Sequence, residues 1–463
     1  MNTTLNTTIS LPQRPAGRAG GASVEPALAA PSPPPRRGPA WQRLPLLLPG
    51  LLAMVFGLAA GLWRLGAWVP EAPPAALARA AVGHGALMVC GFFGVVISLE
   101  RAVALVTALP RQAAWPRRAL PYTMPLLAGL GTAAQLAGLA GAAAALWLLA
   151  ALALLVATLA IWRRQPEPFV GVLALAAAAW ACGNALLLAG AGVAAVVPWW
   201  LAFLVLTIAG ERLELSRLAP RPPGAAAGFA VLMAAVALAL LVHTLGVLAG
   251  GPLATDMAAL RWPAAGWAEA GARGFGAALL GLALWLWRHD LARRTVHQRG
   301  LPRYVALCLL AGYLWLGLAG ALMATQGLQP GTAAWDAALH ALLLGFVFSM
   351  VFGHAPIILP AVLRVAVPFA PRLFAPLVLL HASVALRVAG GLAGSAGLRQ
   401  AGAWLSVLAV AAFIATVLSL VRRRRASRPG AAAGRPPENG SVVGDTRART
   451  AIAAGPLPGP RRT

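Results

Sequence analysis

The feature that most constrains this chain is a succession of apolar stretches, each about as long as a bilayer's hydrocarbon core is thick. Between residues 42 and 421 such stretches alternate with short polar breaks. A run of ~20 residues rising ~1.5 Å each spans a core of ~30 Å as a helix. Only 11% of the chain is charged and 60% is hydrophobic, whereas a soluble domain is about a quarter charged. The solvent around most of this chain is therefore lipid, and the expected fold class is all-α, a polytopic membrane bundle of about twelve transmembrane helices.

Helices are expected near 43–66, 79–106, 119–141, 143–162, 168–190, 194–217, 225–249, 270–288, 302–326, 334–355, 371–391 and 400–421. The break between the third and fourth is little more than GLAGAA. Residues 1–41 are rich in Pro, Arg and Ala without an apolar period, and read as a disordered cytoplasmic tail. No apolar core of a secretory signal stands near the start. The NTT triplets at Asn2 and Asn6 are discounted as glycosylation sites, since a cytoplasmic tail would not receive sugar. Residues 422–463 open with Arg422 to Arg425 and read as a second, basic tail. The twelve-helix domain is 42–421.

The formal charge of +25 alone would suggest a nucleic-acid partner, but its distribution argues against one. All the basic side chains are arginines, which fits a GC-rich genome, and they sit in the tails and on alternate loops. With the N-terminus inside, the inner loops hold Arg111, Arg117 and Arg118; Arg163 and Arg164; Arg212, Arg217 and Arg221; Arg288, Arg293, Arg294, Arg299 and Arg303; Arg364 and Arg372. The outer loops hold chiefly Arg64, Arg79, Arg261 and Arg273. This asymmetry places both ends in the cytoplasm, in a multi-pass protein of the cell membrane, expected to be a bacterial inner membrane. Cys90, Cys182 and Cys308 lie in apolar segments without a CxxC pair and read as small hydrophobes. The second and sixth helices end in SLERAVAL and GERLELSR, and the tenth has His354 at that depth. This hints at three pseudo-repeated four-helix units.

Ionisable groups within a membrane are functional candidates by default. His84, His243 and His340, from three helices far apart in sequence, fall at one depth, ~8–10 Å inside the outer boundary by helical rise. Imidazoles facing each other across a bundle can hold a haem iron in six-coordination. Around His84, in HGALMVCGFFG, glycines remove side-chain bulk and Phe92 and Phe93 could pack on a ring edge. The bland alternative is that those glycines only pack helices and His84 bonds a neighbour. His354 lies fourteen residues after His340, on the same face by α-helical arithmetic but too far away to share one metal. With His381 it is a candidate for a second metal site, a proton relay or a plain polar contact. Glu100–Arg101 and Glu211–Arg212 read as neutralising pairs or as proton entry. Arg387 and Arg399 would meet haem propionates or act as snorkelling anchors. His289 and His297 read as solvated loop residues.

The stretch HGALMVCGFF, with His84 and Met88, resembles the low-spin haem segment of haem–copper oxidase subunit I. The stretch ALHALLLGFVFSMVFGH, Ala338 to His354, is similar to the NnrS family. The first resemblance implies twelve helices in three four-helix units and a partner haem ligand on the tenth helix, where His340 lies. The second implies a haem- and copper-containing membrane protein linked to nitric oxide metabolism. The sixth helix has no histidine and none of the three tyrosines, so an oxygen-reducing binuclear centre is not expected. The histidine-rich opening of an NnrS protein is reduced here to His84.

The expected function is thus a haem-binding integral membrane protein, b-type, acting in nitric oxide response or membrane electron transfer. The cofactor-binding candidates are His84, His340, His243, Met88, Arg387 and Arg399, and the metal candidates His84, His340, His243 and His354. Copper is a second candidate metal. Partners would be the lipid bilayer, haem and an electron donor or small gaseous ligand, with no nucleic acid. The alternative is a proton-coupled secondary transporter of a small molecule, using the embedded Glu, Arg and His.

Overall fold

The computed structural model describes residues 40–110, 112–216, 222–250 and 266–426, and every regular element among them is helical. Nearly all of both expected tails, together with Arg111, Arg217, Arg221 and Arg261, lies outside the described residues. The long helices are α1 (Leu44–Arg64), α2 (His84–Ala108), α3 (Thr123–Ala137), α4 (Ala140–Trp162), α5 (Pro168–Leu188), α6 (Val193–Ser216), α7 (Ala225–Ala249), α8 (Trp267–His289), α9 (Leu301–Gln326), α10 (Ala333–Leu363), α11 (Phe374–Leu392) and α12 (Ala396–Ala426). Among the described residues eleven are long and apolar enough to cross a membrane. The remaining one, α3, has 15 residues. The chain is a multi-pass membrane protein of all-α class.

Several boundaries differ from the sequence reading: α10 runs to Leu363 with Pro356 and Pro360 inside it, beyond the expected 355, and three others differ for a local reason. Gly138 takes a left-handed φ of 90° and ends α3, with Gly138 N–H bonding Gln135 O and Leu139 N–H bonding Ala134 O. That reversal needs a residue without Cβ, so the chain turns there and not in the alanines that follow. A short helix, Ala75–Val82, leads into α2 and is broken only at Gly83, so helical structure starts earlier than residue 79. At the other end α12 continues through Arg422 and Arg423. Arginine is a good helix former, and its long stem lets the charge reach water beyond the apolar layer.

The outward faces carry large apolar side chains, such as Val55 on α1, Val231 on α7 and Leu314 on α9, each more than half exposed. Water would not tolerate a surface of this kind, whereas lipid does. Burial also separates the layers. The most apolar window is 72% buried in α6, 67% in α2 and 61% in both α5 and α10, against 33% in α1, α4, α7 and α12. The inner helices thus include α2 and α10, which carry His84 and His340. Consecutive helices pack as antiparallel neighbours, α2 touches both α6 and α10, and α1 closes against α12. Close approach uses small residues: a Cβ on Gly276 of α8 would stand 2.8 Å from Gly320 O of α9, and the reverse holds for Gly320.

Candidate cofactor site between the second and tenth helices

His84 stands at the break after Gly83, where α2 begins. Its Nδ1–H donates to Gly57 O of α1 at 2.8 Å. A carbonyl can only accept, so in the neutral ring the proton sits on Nδ1 and Nε2 keeps its lone pair. Glycine lets α1 come this close: a Cβ on Gly61 would stand 3.1 Å from His84 Cε1, and one on Gly57 would run into Met88 Sδ. Met88 is thus buried against α1 beside the carbonyl that holds His84.

His340 closes the first two turns of α10. Its Nδ1–H donates to Asp336 O at 2.8 Å, with Asp336 Oδ1 3.2 Å away. This ring too keeps Nε2 free. His84 and His340 lie within electrostatic range of each other, and Arg64 and Arg387 lie within range of His84. Both residues are half-buried.

Both helices change their winding just below the histidine. Leu87–Phe93 of α2 and Ala341–Phe348 of α10 are π-helical. A π segment bonds i to i+5, widens the helix and is frequent at functional sites. It also upsets α-helical arithmetic, so the shared face expected for His340 and His354 does not follow. Phe92 and Phe348 each come eight residues after their histidine. Their rings stack at 5.7 Å and 19°, and Phe93 meets Phe348 edge-on at 5.4 Å. The two histidine helices therefore meet on an aromatic floor about two turns below the imidazoles. α6 has neither a histidine nor a π segment, so the repeat suggested by the sequence does not extend to this feature.

Asp336 organises the charges at the mouth. Its carboxylate takes Arg387 through two contacts, 2.8 and 3.2 Å, and stands 3.5 Å from Arg399. Sequence reasoning missed Asp336, although an acid four residues before a membrane histidine marks one helix face. The two arginines read as propionate partners thus already share one carboxylate.

The other candidates are placed differently. His243 of α7 has Nδ1 2.8 Å from Ala268 O and Nε2 2.9 Å from Ala195 O. With a carbonyl against each nitrogen it clamps α7 to the starts of α6 and α8, and neither nitrogen is open to a metal. His381 accepts from Trp315 Nε1–H at its Nδ1 (3.0 Å), and its Nε2 faces Ser349 Oγ at 3.5 Å, so it too is a polar clamp. His354 bonds Met350 O through Nδ1 at 2.9 Å, near the far end of α10. Among the described residues no three His, Cys, Asp or Glu side chains gather as a metal site; a bis-imidazole haem needs only two.

The Glu-Arg dipeptides do not pair internally, because successive residues on a helix point apart. Arg101 reaches Glu211 across the bundle at 3.3 Å. Arg212 instead binds Asp290, a residue sequence reasoning passed over as part of a loop, at 2.8 and 3.2 Å. Asp290 also accepts from Tyr313 OH (2.9 Å) and Ala292 N–H (2.6 Å).

Compared with known proteins, the chain matches the model of one family, described as a domain of unknown function (DUF8744), over residues 43–422. No curated protein and no solved structure matches it.

Proposed function

The chain belongs to the DUF8744 family, and we propose that it holds a b-type haem between α2 and α10, with His84 and His340 as axial ligands, for electron transfer in the membrane. One observation carries this reading. The two imidazoles stand at the same end of two inner helices, within electrostatic range, and each gives its Nδ1–H to a backbone carbonyl. That is the tautomer a histidine takes when Nε2 binds metal.

The surroundings suit a flat apolar macrocycle. Phe92, Phe93 and Phe348 form a floor, and Gly57 and Gly61 let α1 close against the histidine without a side chain in the way. At the mouth, two guanidiniums, Arg387 and Arg399, share one carboxylate, Asp336, and Arg64 acts on His84 from α1. The excess positive charge favours two propionates there. A haem with imidazole on both sides supplies one-electron exchange and has no open position for a gas, which favours electron transfer over nitric oxide handling. The proposal includes haem and not copper, because His243 and His381 have both ring nitrogens engaged and His354 joins no group of three ligands among the described residues. The resemblance of HGALMVCGFF to the low-spin haem segment of haem–copper oxidase subunit I, which implies a partner ligand on the tenth helix, supports haem in the same place. Proton-coupled transport has less support, since Glu211 and Arg212, two of the groups it would use, are held in ion pairs with Arg101 and Asp290. By the positive-inside rule the site lies toward the outer face and both ends are cytoplasmic.

The test is an absorption spectrum and haem assay of protein purified in detergent after expression with ample haem. The reading predicts a Soret band at about one haem per chain, lost in the His84→Ala/His340→Ala variant. A colourless wild-type protein would overturn it.

A further inference from the structure

At the opposite end of the bundle from the two histidines, α1, α2 and α10 meet the short helix Trp115–Ala119 around a cavity of about 290 Å³. That is close to the ~300 Å³ at which small-molecule sites begin. Arg43, Arg118 and Arg364 line it together with Gln42, Trp115 and Tyr122, and no carboxylate does. We infer that this cavity binds a phosphate group, carried by a phospholipid headgroup or by a soluble phosphate.

Arg43 gives the most specific sign. It is 7% exposed, and its Nη1 donates to Val362 O at 2.7 Å and Ala361 O at 3.4 Å, fastening α1 to the last turn of α10. Its Nε is buried and has no hydrogen-bond partner. A cationic N–H held out of water without an acceptor is costly, and a phosphate oxygen is the acceptor that guanidinium geometry suits best. Arg364 follows directly on that last turn and takes a left-handed φ of 55°, the only positive φ of a non-glycine among the described residues. This fixes a second guanidinium-bearing residue beside the first. Arg118 adds a third positive charge to the lining. Trp115 is 79% exposed at the cavity's edge, and tryptophan is enriched at headgroup level. Basic pockets between membrane helices at the cytoplasmic surface are where anionic headgroups bind.

The test uses the full chain, delipidated in neutral detergent. The wild type, Arg118→Gln and an Arg118→Gln/Arg364→Asn double variant are compared; asparagine tolerates the left-handed backbone at 364. Native mass spectrometry counts adducts while the unfolding midpoint is followed. One arm adds phosphatidylglycerol against phosphatidylcholine, and the other adds inorganic phosphate. The inference predicts about one saturable adduct per chain and a raised midpoint with phosphatidylglycerol or inorganic phosphate, weakened at least tenfold in the double variant. Response to phosphatidylglycerol alone identifies a headgroup site, and response to inorganic phosphate a soluble one. Equal binding by wild type and both variants, or no midpoint shift with either probe, would overturn it. Arg118 stands on a short surface helix, so the single variant keeps the test decisive should the double variant fail to fold.

Discussion

Asp336 ties His340, Arg387 and Arg399 together, so it is the single side chain on which most of the outer charge rests. Replacing it with Asn leaves guanidiniums in a low-dielectric site without a counter-ion, an error that costs ~3–5 kcal/mol when a buried pair is broken. Asp336→Asn is therefore expected to lower the unfolding midpoint and loosen haem binding together; unchanged thermal unfolding would show that the arginines find other partners. Asp290 has a purely structural counterpart of this role. Tyr313→Phe removes one of its four hydrogen bonds and should cost ~1 kcal/mol, with haem content unchanged. At Gly61, where a Cβ would stand 3.1 Å from the His84 ring, Gly61→Val should push the imidazole aside. Haem per chain should then fall by more than half while the protein still inserts. At this scale the histidines were legible in the sequence because each is a costly residue in an apolar run. Asp290 and Asp336 were not, because a lone acid near a helix end is ordinary and its arginine partner lies tens of residues away.

Between residue and bundle, the two π segments decide which way the site faces. In α10 the stretch Ala341–Phe348 contains the extra turn width that lets His340 and Phe348 address α2 together. Deleting Leu343 should let this stretch relax to an α-helix and close the widened turn that sets the height and tilt of the His340 ring above Phe348. The expected result is a helical, membrane-inserted protein that has lost its haem; full haem retention would show that the π winding is incidental. Nothing in HALLLGFVF announces this winding. The run is apolar on all sides, and periodicity reports that a segment is helical without reporting which carbonyl each N–H takes. The α3–α4 reversal is the contrasting case. It rests on Gly138, a residue visible in the sequence but hidden among other small residues that could equally have made the turn.

Across the whole molecule, the all-α multi-pass architecture follows from the apolar runs and was legible from the start, whereas the inner position of α2 and α10 emerged only from their burial in the bundle. The site needed something more, namely contacts between residues 57 and 84 and between 336, 387 and 399 that only the packed bundle creates. Twelve crossings, the eleven long helices and α3, would put both ends on one side, and on that reading reporter fusions at Met1 and Thr463 should both read as cytoplasmic. Fusions on opposite sides would shift every histidine's depth. The most direct measurement of the central claim, that imidazoles of α2 and α10 hold one iron between them, is the absorption spectrum of the reduced protein before and after carbon monoxide. With both axial positions filled, the wild-type spectrum should not change, whereas His340→Ala, with one position open, should shift at once. A wild-type protein that binds carbon monoxide readily, or one with no haem spectrum at all, would contradict the account.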